Sequence, residues 1–335
     1  VTDELHQLVD EIGRRSFDAR VGQRTLPEPF DAELWGVLET TGLTRLTGEQ
    51  GAGPAESAVV LGGLARHAAA VPIAETDLLA TWLAGRAGLS IPPDGPLTVA
   101  VADVEPRGDR ISGTAVDVPW PGAGPVVLAA RSTDATFVGV LDAVPTDEYD
   151  LAGTPRGSVT FDLSVDDAVR LPRSVGDELV RRGAWARCVQ IVGAFDAAVD
   201  LTSAHTRERV QFGRPLNRFQ AVQHSLAALI GEVERSRAAT ALAIAAADDH
   251  GFDSPRAEYA VTVAKVAVGR AVGPVTTIAH QLHGAIGVTV EHPLWLATMR
   301  ARSWADEFGT TGQHARRLGR MALAADDVWS LVVGN

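Results

Sequence analysis

Sulfur and lysine are nearly missing from this chain of 335 residues, which has one cysteine, Cys188, two methionines and a single lysine, Lys265. One thiol cannot close a disulfide within the chain, and an all-cysteine zinc or iron–sulfur site is excluded with it. Aromatic residues are scarce at 5%. No uninterrupted apolar run approaches the roughly 20 residues of a membrane-spanning helix; the longest lies near 241–247. The sequence opens without a basic, apolar leader, so the expectation is a cytoplasmic protein without a membrane partner. Positive charge is short as well. Thirty basic residues against 42 acidic ones leave a net charge of −12. A nucleic-acid partner is therefore not expected, because phosphate attraction supplies most of that affinity.

What remains is an ordinary globular composition, 46% hydrophobic and 21% charged, with length enough for two or three cores. All 29 basic residues other than Lys265 are arginine. With abundant alanine and glycine this reads as the bias of a GC-rich genome, so an arginine carries meaning only inside a motif.

Hydrophobic periodicity predicts helices over 4–17, 31–41, 55–70 and 75–87. The character changes near Pro92-Pro93. Short apolar or alternating runs at 97–101, 110–118, 126–130, 136–141 and 158–161, punctuated by Gly, Pro and Asp, predict strands and hairpins. Long helical patterns then cover 177–207 and 217–250. A further helix opens on the cap pair Ser254-Pro255 and ends at Gly284, and two more lie at 291–307 and 311–327. The fold class is mainly α with a small central β-domain: an N-terminal helical domain at 1–92, a β-domain at 93–163 and a four-helix-type bundle at 164–335. No internal repeat is present.

Most familiar motifs fail. Gly51-Ala52-Gly53 lacks the third glycine and the preceding strand of a dinucleotide fingerprint. No Walker loop, zinc-protease motif or nucleophile elbow occurs. His67, His205, His224 and His250 sit on helices without metal-ligand spacing, and no metal site is expected. Two segments stand out. One is Arg209-Val210-Gln211-Phe212-Gly213-Arg214-Pro215-Leu216, followed by Phe219-Gln220. The other is Gln281-Leu282-His283-Gly284-Ala285-Ile286-Gly287, followed by Glu291-His292-Pro293. Read locally, the first is a helix end, a Gly-Arg-Pro turn and a helix start, and the second a glycine-terminated helix and a loop. Arg, Gln and Phe crowded at a turn, with a second Gln at another helix end, also suit an anion and a stacked aromatic ring.

At these residues the chain resembles the acyl-CoA dehydrogenase family. The pattern R-x-Q-F-G-x-P-L-x-x-F-Q-x-V-Q-H is matched over 209–224 and Q-L-H-G-x-x-G…E-H-P over 281–293. Phe30-Asp31…Leu34-Trp35, Val71-Pro72-Ile73-Ala74-Glu75 and the helix–β–helix order agree with it. The resemblance implies a flavoprotein that assembles as a dimer of dimers, with FAD at a subunit interface and an acyl-CoA substrate. Carried over, Arg209 pairs with the pyrophosphate, which suits a guanidinium. Phe212 packs near the adenine, and Gln281 with the backbone at Gly284 bonds the pyrophosphate and ribose. Gln211, Phe219, Leu282 and Thr310 complete the implied cofactor set.

The chain departs from the family where the chemistry happens. The resemblance places the proton-abstracting carboxylate at one of two positions, which fall here on Phe308 and Gly183. Glu307 is adjacent to the first, but one helical step turns a side chain by about 100°. No catalytic residue is assigned. The family's flavin-lining T-E-P, G-S-D and W-[IV]-T segments have no counterpart between 97 and 161. The implied reading is the short subunit of an α2β2 acyl-CoA dehydrogenase. It would contribute the adenylate half of an FAD site and depend on a second acyl-CoA dehydrogenase-like subunit for base and flavin pocket, with a bulky acyl group such as a steroid side chain. A self-sufficient homo-oligomer with Glu307 as displaced base and a non-enzymatic scaffold of the same fold stay open at this point.

Overall fold

Capping chemistry in the sequence fixes several helix ends in the computed structural model, which describes residues 2–23, 25–48, 51–144, 147–289 and 291–333. Asp31 Oδ1 accepts from Leu34 N–H at 2.9 Å and starts the helix Ala32–Thr40. Ser254 Oγ accepts from Ala257 N–H at 3.1 Å, with Pro255 in the first turn, and Gly284 at φ +67° ends that helix at His283. Thr310 and Gln313 form a reciprocal capping box at the start of the helix Thr311–Ala324.

In chain order the helices are α1 (Thr2–Arg20), α2 (Ala32–Thr40), α3 (Pro54–Arg66), α4 (Trp82–Ala87), α5 (Arg173–Glu208), α6 (Gln220–His250), α7 (Pro255–His283), α8 (Leu294–Ala305), α9 (Thr311–Ala324) and α10 (Val328–Val333). The strands between α4 and α5 are β1 (Thr98–Asp103), β2 (Arg110–Pro119), β3 (Val126–Arg131), β4 (Ala135–Leu141), β5 (Arg156–Ser164) and β6 (Val169–Pro172). The chain divides into two compact units, and α5 contributes residues to both.

One unit takes α2, α4, the strands and the first residues of α5. Its larger sheet has the order β1-β3-β4-β6, parallel between β1 and β3 and antiparallel elsewhere, while β2 and β5 form an antiparallel pair. The core between them is small-grained: Ala100, Ala115 and Ala130 pack with Ile111, Leu128, Phe137 and Phe161. The sheet thus takes a further strand past residue 163. That strand, β6, is four residues long and ends on a proline, too short to register as an alternating run.

The helix predicted over 75–87 is in part a π-helix, Glu75–Thr81, whose polar residues face inward. Thr76 Oγ1 donates to Leu97 O and accepts from Leu97 N–H, both at 3.0 Å, which anchors the entry to β1. Asp77 Oδ1 accepts from Thr47 N–H at 3.0 Å and Thr47 Oγ1 at 2.9 Å. Burial nevertheless pushes its carboxyl up to about 6, against the opposing pull of those bonds, Arg182 and Arg45. A group whose folded-state pKa is raised binds its proton before the unfolded chain does. It therefore adds stability as pH falls from above 6 toward 4, and that contribution is lost as pH rises through 6. The shift corresponds to about 3 kcal/mol at most. Asp77→Asn should raise the urea midpoint at pH 7.5, and the gap to wild type should narrow steadily as pH falls toward 4. A gap that widens at low pH would reverse the assignment.

The other unit holds α1, α3, most of α5 and everything after it. Glycine sets how closely its helices approach. A Cβ on Gly193 of α5 would stand 2.2 Å from the Gly62 carbonyl oxygen of α3, so only glycine permits that crossing. The stretch Pro255–Val288, most of it α7, is long and apolar enough by composition to cross a bilayer, although no single apolar run within it is. Half of its most apolar window is buried in the bundle, where α7 packs on α6, α8 and α9. Lys265, 1% exposed at its middle, donates to the carbonyl oxygens of Ala305 and Glu307 at 2.9 and 2.8 Å. The buried ammonium thereby serves the C-terminal end of α8, where a cation complements the helix dipole.

Candidate functional site

The segment after α5 folds into a two-residue hairpin. Strands β7 (Val210–Gln211) and β8 (Arg214–Pro215) pair antiparallel, Gln211 opposite Arg214, around Phe212 and Gly213 at φ +50° and +78°. Two consecutive left-handed residues make the primed turn that matches strand twist. The turn therefore sits one residue earlier than the Gly-Arg-Pro reading of the sequence. Phenylalanine is a costly occupant of a left-handed position, by about 1–3 kcal/mol, and here it is 93% exposed. Strain that holds a large apolar ring out in solvent points to a binding role.

Around it, the Arg214 guanidinium lies 4.1 Å from the Phe219 ring centre, and Phe219 meets Phe212 edge-on at 6.2 Å. Arg209 is exposed, its carbonyl bonded to Leu216 N–H at 2.9 Å. Gln211 Nε2 donates to the Val210 carbonyl at 2.9 Å. Arg214 lies in the first segment but has no role assigned from the sequence, because an arginine inside a turn carries no specific signal until its ring partner is placed.

The second segment begins where α7 ends. Gln281 and Gly284 are exposed and Leu282 is half-buried. No atom lies within 4 Å of the place a Cβ on Gly284 would occupy, so its backbone is open to a ligand. A 3-10 turn, Gly284–Val288, then exposes Ile286 and Val288. Thr310 caps α9, its hydroxyl accepting from Gln313 N–H and its own N–H donating to Gln313 Oε1.

The two segments meet through histidines. His205, one helical turn before Arg209, stacks on His283 with ring centres 4.4 Å apart, and His283 meets His292 at 4.6 Å. This corrects the reading of His205 as one of several scattered histidines. Its usable signal was its place one turn before Arg209, while His283 and His292 already lay inside the second motif.

The region of the family's base is tightly fastened. At Phe308 the backbone is left-handed, φ +54°. The Glu307 carboxylate takes both Arg187 Nε and Nη2 on one oxygen, at 2.8 and 2.7 Å, and Arg187 Nη1 donates to Gln190 Oε1 at 2.6 Å. The Arg187 side chain is 2% exposed. His314 Nε2 lies 3.1 Å from the Phe308 carbonyl, which it reaches as a donor. Gly183 is buried within α5. Cys188 is buried, its thiol pushed up to about 12 by burial, so it offers no reactive thiolate.

With this geometry in place, comparison with known proteins agrees. The acyl-CoA dehydrogenase C-terminal domain profile matches residues 177–323. The chain is 30% identical over 300 residues to acyl-CoA dehydrogenase IpdE2 of Mycolicibacterium smegmatis, covering 86% of this chain and 88% of that protein. It is 31% identical over 341 residues to acyl-CoA dehydrogenase FadE27 of Mycobacterium tuberculosis, covering 88% and 89%. Among solved structures it superposes on a chain of the ChsE4–ChsE5 complex from Mycobacterium tuberculosis with a TM-score of 0.84 at 22% identity, covering 97% and 98%. It superposes on a chain of the Tcur3481–Tcur3483 steroid acyl-CoA dehydrogenase with 0.78 at 25% identity, covering 96% and 99%. The chain belongs to the acyl-CoA dehydrogenase family. The class is that of flavin-dependent oxidoreductases, and the cofactor is FAD. The surface fits part of that cofactor: exposed guanidinium and carboxamide donors at Arg209 and Gln281 suit a pyrophosphate, open backbone at Gly284 allows close approach, and the exposed Phe212 ring suits an adenine.

Proposed function

We propose that this chain is one subunit of a heteromeric FAD-dependent acyl-CoA dehydrogenase. It contributes the adenylate and pyrophosphate half of an interface FAD site, and a partner subunit provides the base and the flavin pocket. When bound, FAD supplies the hydride acceptor for α,β-desaturation of an acyl-CoA. In this reading Arg209 neutralises the pyrophosphate, and Gln281 and the Gly284 backbone orient it. Phe212, steadied by Phe219, covers the adenine, while Gln211 and Leu282 flank the site.

The observation that carries the division of labour is the state of Glu307. Neither Phe308 nor Gly183 can take a proton, and the Glu307 carboxylate next to Phe308 is clasped by the buried Arg187. Phe212, Ile286 and Val288 are exposed apolar side chains that a partner can cover. The ChsE4–ChsE5 structure is of a complex, which supports a two-subunit assembly here, and the steroid enzyme among the structural relatives supports a bulky acyl group.

Arg209→Ala should weaken FAD retention in the purified complex by about 10- to 100-fold, the equivalent of a charge-assisted contact of roughly 1.5–3 kcal/mol. Gln281→Ala should act at the same place with a smaller effect. FAD dissociation measured by fluorescence reads both. Unchanged retention in an intact Arg209→Ala complex would reject the half-site.

A further inference from the structure

The histidines that join the two motifs have no role in that reading. They come from three places: the last turns of α5, the last residue of α7, and the residue before the Pro293 cap of α8. One ring nitrogen from each of His205, His283 and His292 lies within 4.8 Å of the other two.

His283 is the telling member. It is 6% exposed, and its Nδ1 lies 2.8 Å from the Ala279 carbonyl oxygen. A carbonyl only accepts, so Nδ1 carries the proton and Nε2 presents a bare lone pair. That Nε2 is buried without a hydrogen-bond partner. Leaving such an acceptor unmet costs about 1–3 kcal/mol, and folded proteins rarely tolerate it without a reason. A backbone carbonyl on the far nitrogen is also what orients a histidine that binds metal through the near one. His292 Nδ1, accepting from Leu294 N–H at 3.2 Å, bears a lone pair too. Burial lowers all three imidazoles, His283 to about 4. Arg209 and Glu208 face His205 with opposite charges and offset one another.

We propose that His205, His283 and His292 form a three-imidazole site for a divalent metal of the zinc class, with water at the fourth position. Imidazole nitrogens suit a borderline ion such as Zn²⁺ or Co²⁺, and neither Ca²⁺ nor Mg²⁺, which take oxygen ligands. Tetrahedral zinc at about 2.0–2.1 Å from each nitrogen sets the nitrogens about 3.3 Å apart. The stacked rings must therefore close and fan by an ångström or so, and His292 exchanges its long bond from Leu294 for the metal. His205 and His292 are part-exposed, which gives the ion and its water a path in. A bound ion would tie together the ends of α5 and α7 and the start of α8. The site stands whether or not the neighbouring residues hold FAD.

The test uses the full chain, stripped with chelator and titrated with Co²⁺. The expected result is saturable binding of about one Co²⁺ per chain, with the visible absorption of a tetrahedral cobalt site, lost on adding Zn²⁺. His283→Gln should weaken binding by more than about 100-fold, since even residues behind the ligands are worth 10- to 100-fold. His205→Asn, at a part-exposed position, should do the same without changing the circular dichroism spectrum. No saturable binding at millimolar Co²⁺, or equal affinity in wild type and His205→Asn, overturns the site.

Discussion

Purified by itself, this chain should be colourless, with little FAD and no acyl-CoA dehydrogenase activity. In the proposed half-site the donors for the cofactor come from the hairpin at 209–215 and the end of α7. A single charge-assisted contact of about 1.5–3 kcal/mol and a stacked ring of about 1–3 kcal/mol fall short of what holds a flavin through purification, because micromolar affinity already needs about 8 kcal/mol. Joined to its partner, the chain should retain one FAD per heterodimer, and turnover should appear with it. Flavin absorbance and native mass spectrometry of the two preparations read this directly. A yellow, active homo-oligomer of this chain would sink the two-subunit reading. A colourless complex with the right partner would leave the chain a scaffold of the family fold.

The order of the elements was legible because caps are local. Asp31, Ser254-Pro255, Gly284 and Thr310 each mark a helix end by a bond to a residue within four positions; the sequence named the Ser254-Pro255 and Gly284 ends as such, while Asp31 and Thr310 took their capping role only in the structure. What the sequence hid depends on partners distant along the chain. The π-helix at Glu75–Thr81 has ordinary helical periodicity. Its widening accompanies bonds from Thr76 and Asp77 to Leu97 and Thr47, which no local pattern announces. Strand β6 is a strand only because β4 is beside it. The turn at Phe212-Gly213 was misplaced by one residue because turn chemistry disfavours phenylalanine at a positive φ, and the exception belongs to the candidate site. His283 and His292 lie in the second segment already singled out and His205 one turn before the first, but their convergence comes from helix packing rather than from spacing.

Glu307 gives the sharpest separation between structure and chemistry. Glu307→Gln keeps the shape and leaves an oxygen for Arg187, so turnover of the assembled complex should stay within a few-fold of wild type. Loss of a working general base costs about 10²–10⁴. Glu307→Leu should behave differently. Arg187 keeps Gln190 Oε1 but loses its carboxylate inside the bundle, and removing one partner of a buried pair costs about 3–5 kcal/mol. The lower end applies here because the Glu307 side chain is 16% exposed. The unfolding midpoint of the chain should fall accordingly, and the double change Arg187→Met with Glu307→Leu should recover most of the loss, since apolar replacement of both partners is often neutral. This pattern, with activity indifferent to the charge and stability sensitive to the pair, makes Glu307 the clamp of the 305–310 segment rather than an acceptor of protons. If Glu307→Gln instead folds, keeps FAD and loses more than about a hundredfold in rate, catalysis resides in this chain and the carboxylate must leave Arg187 to perform it.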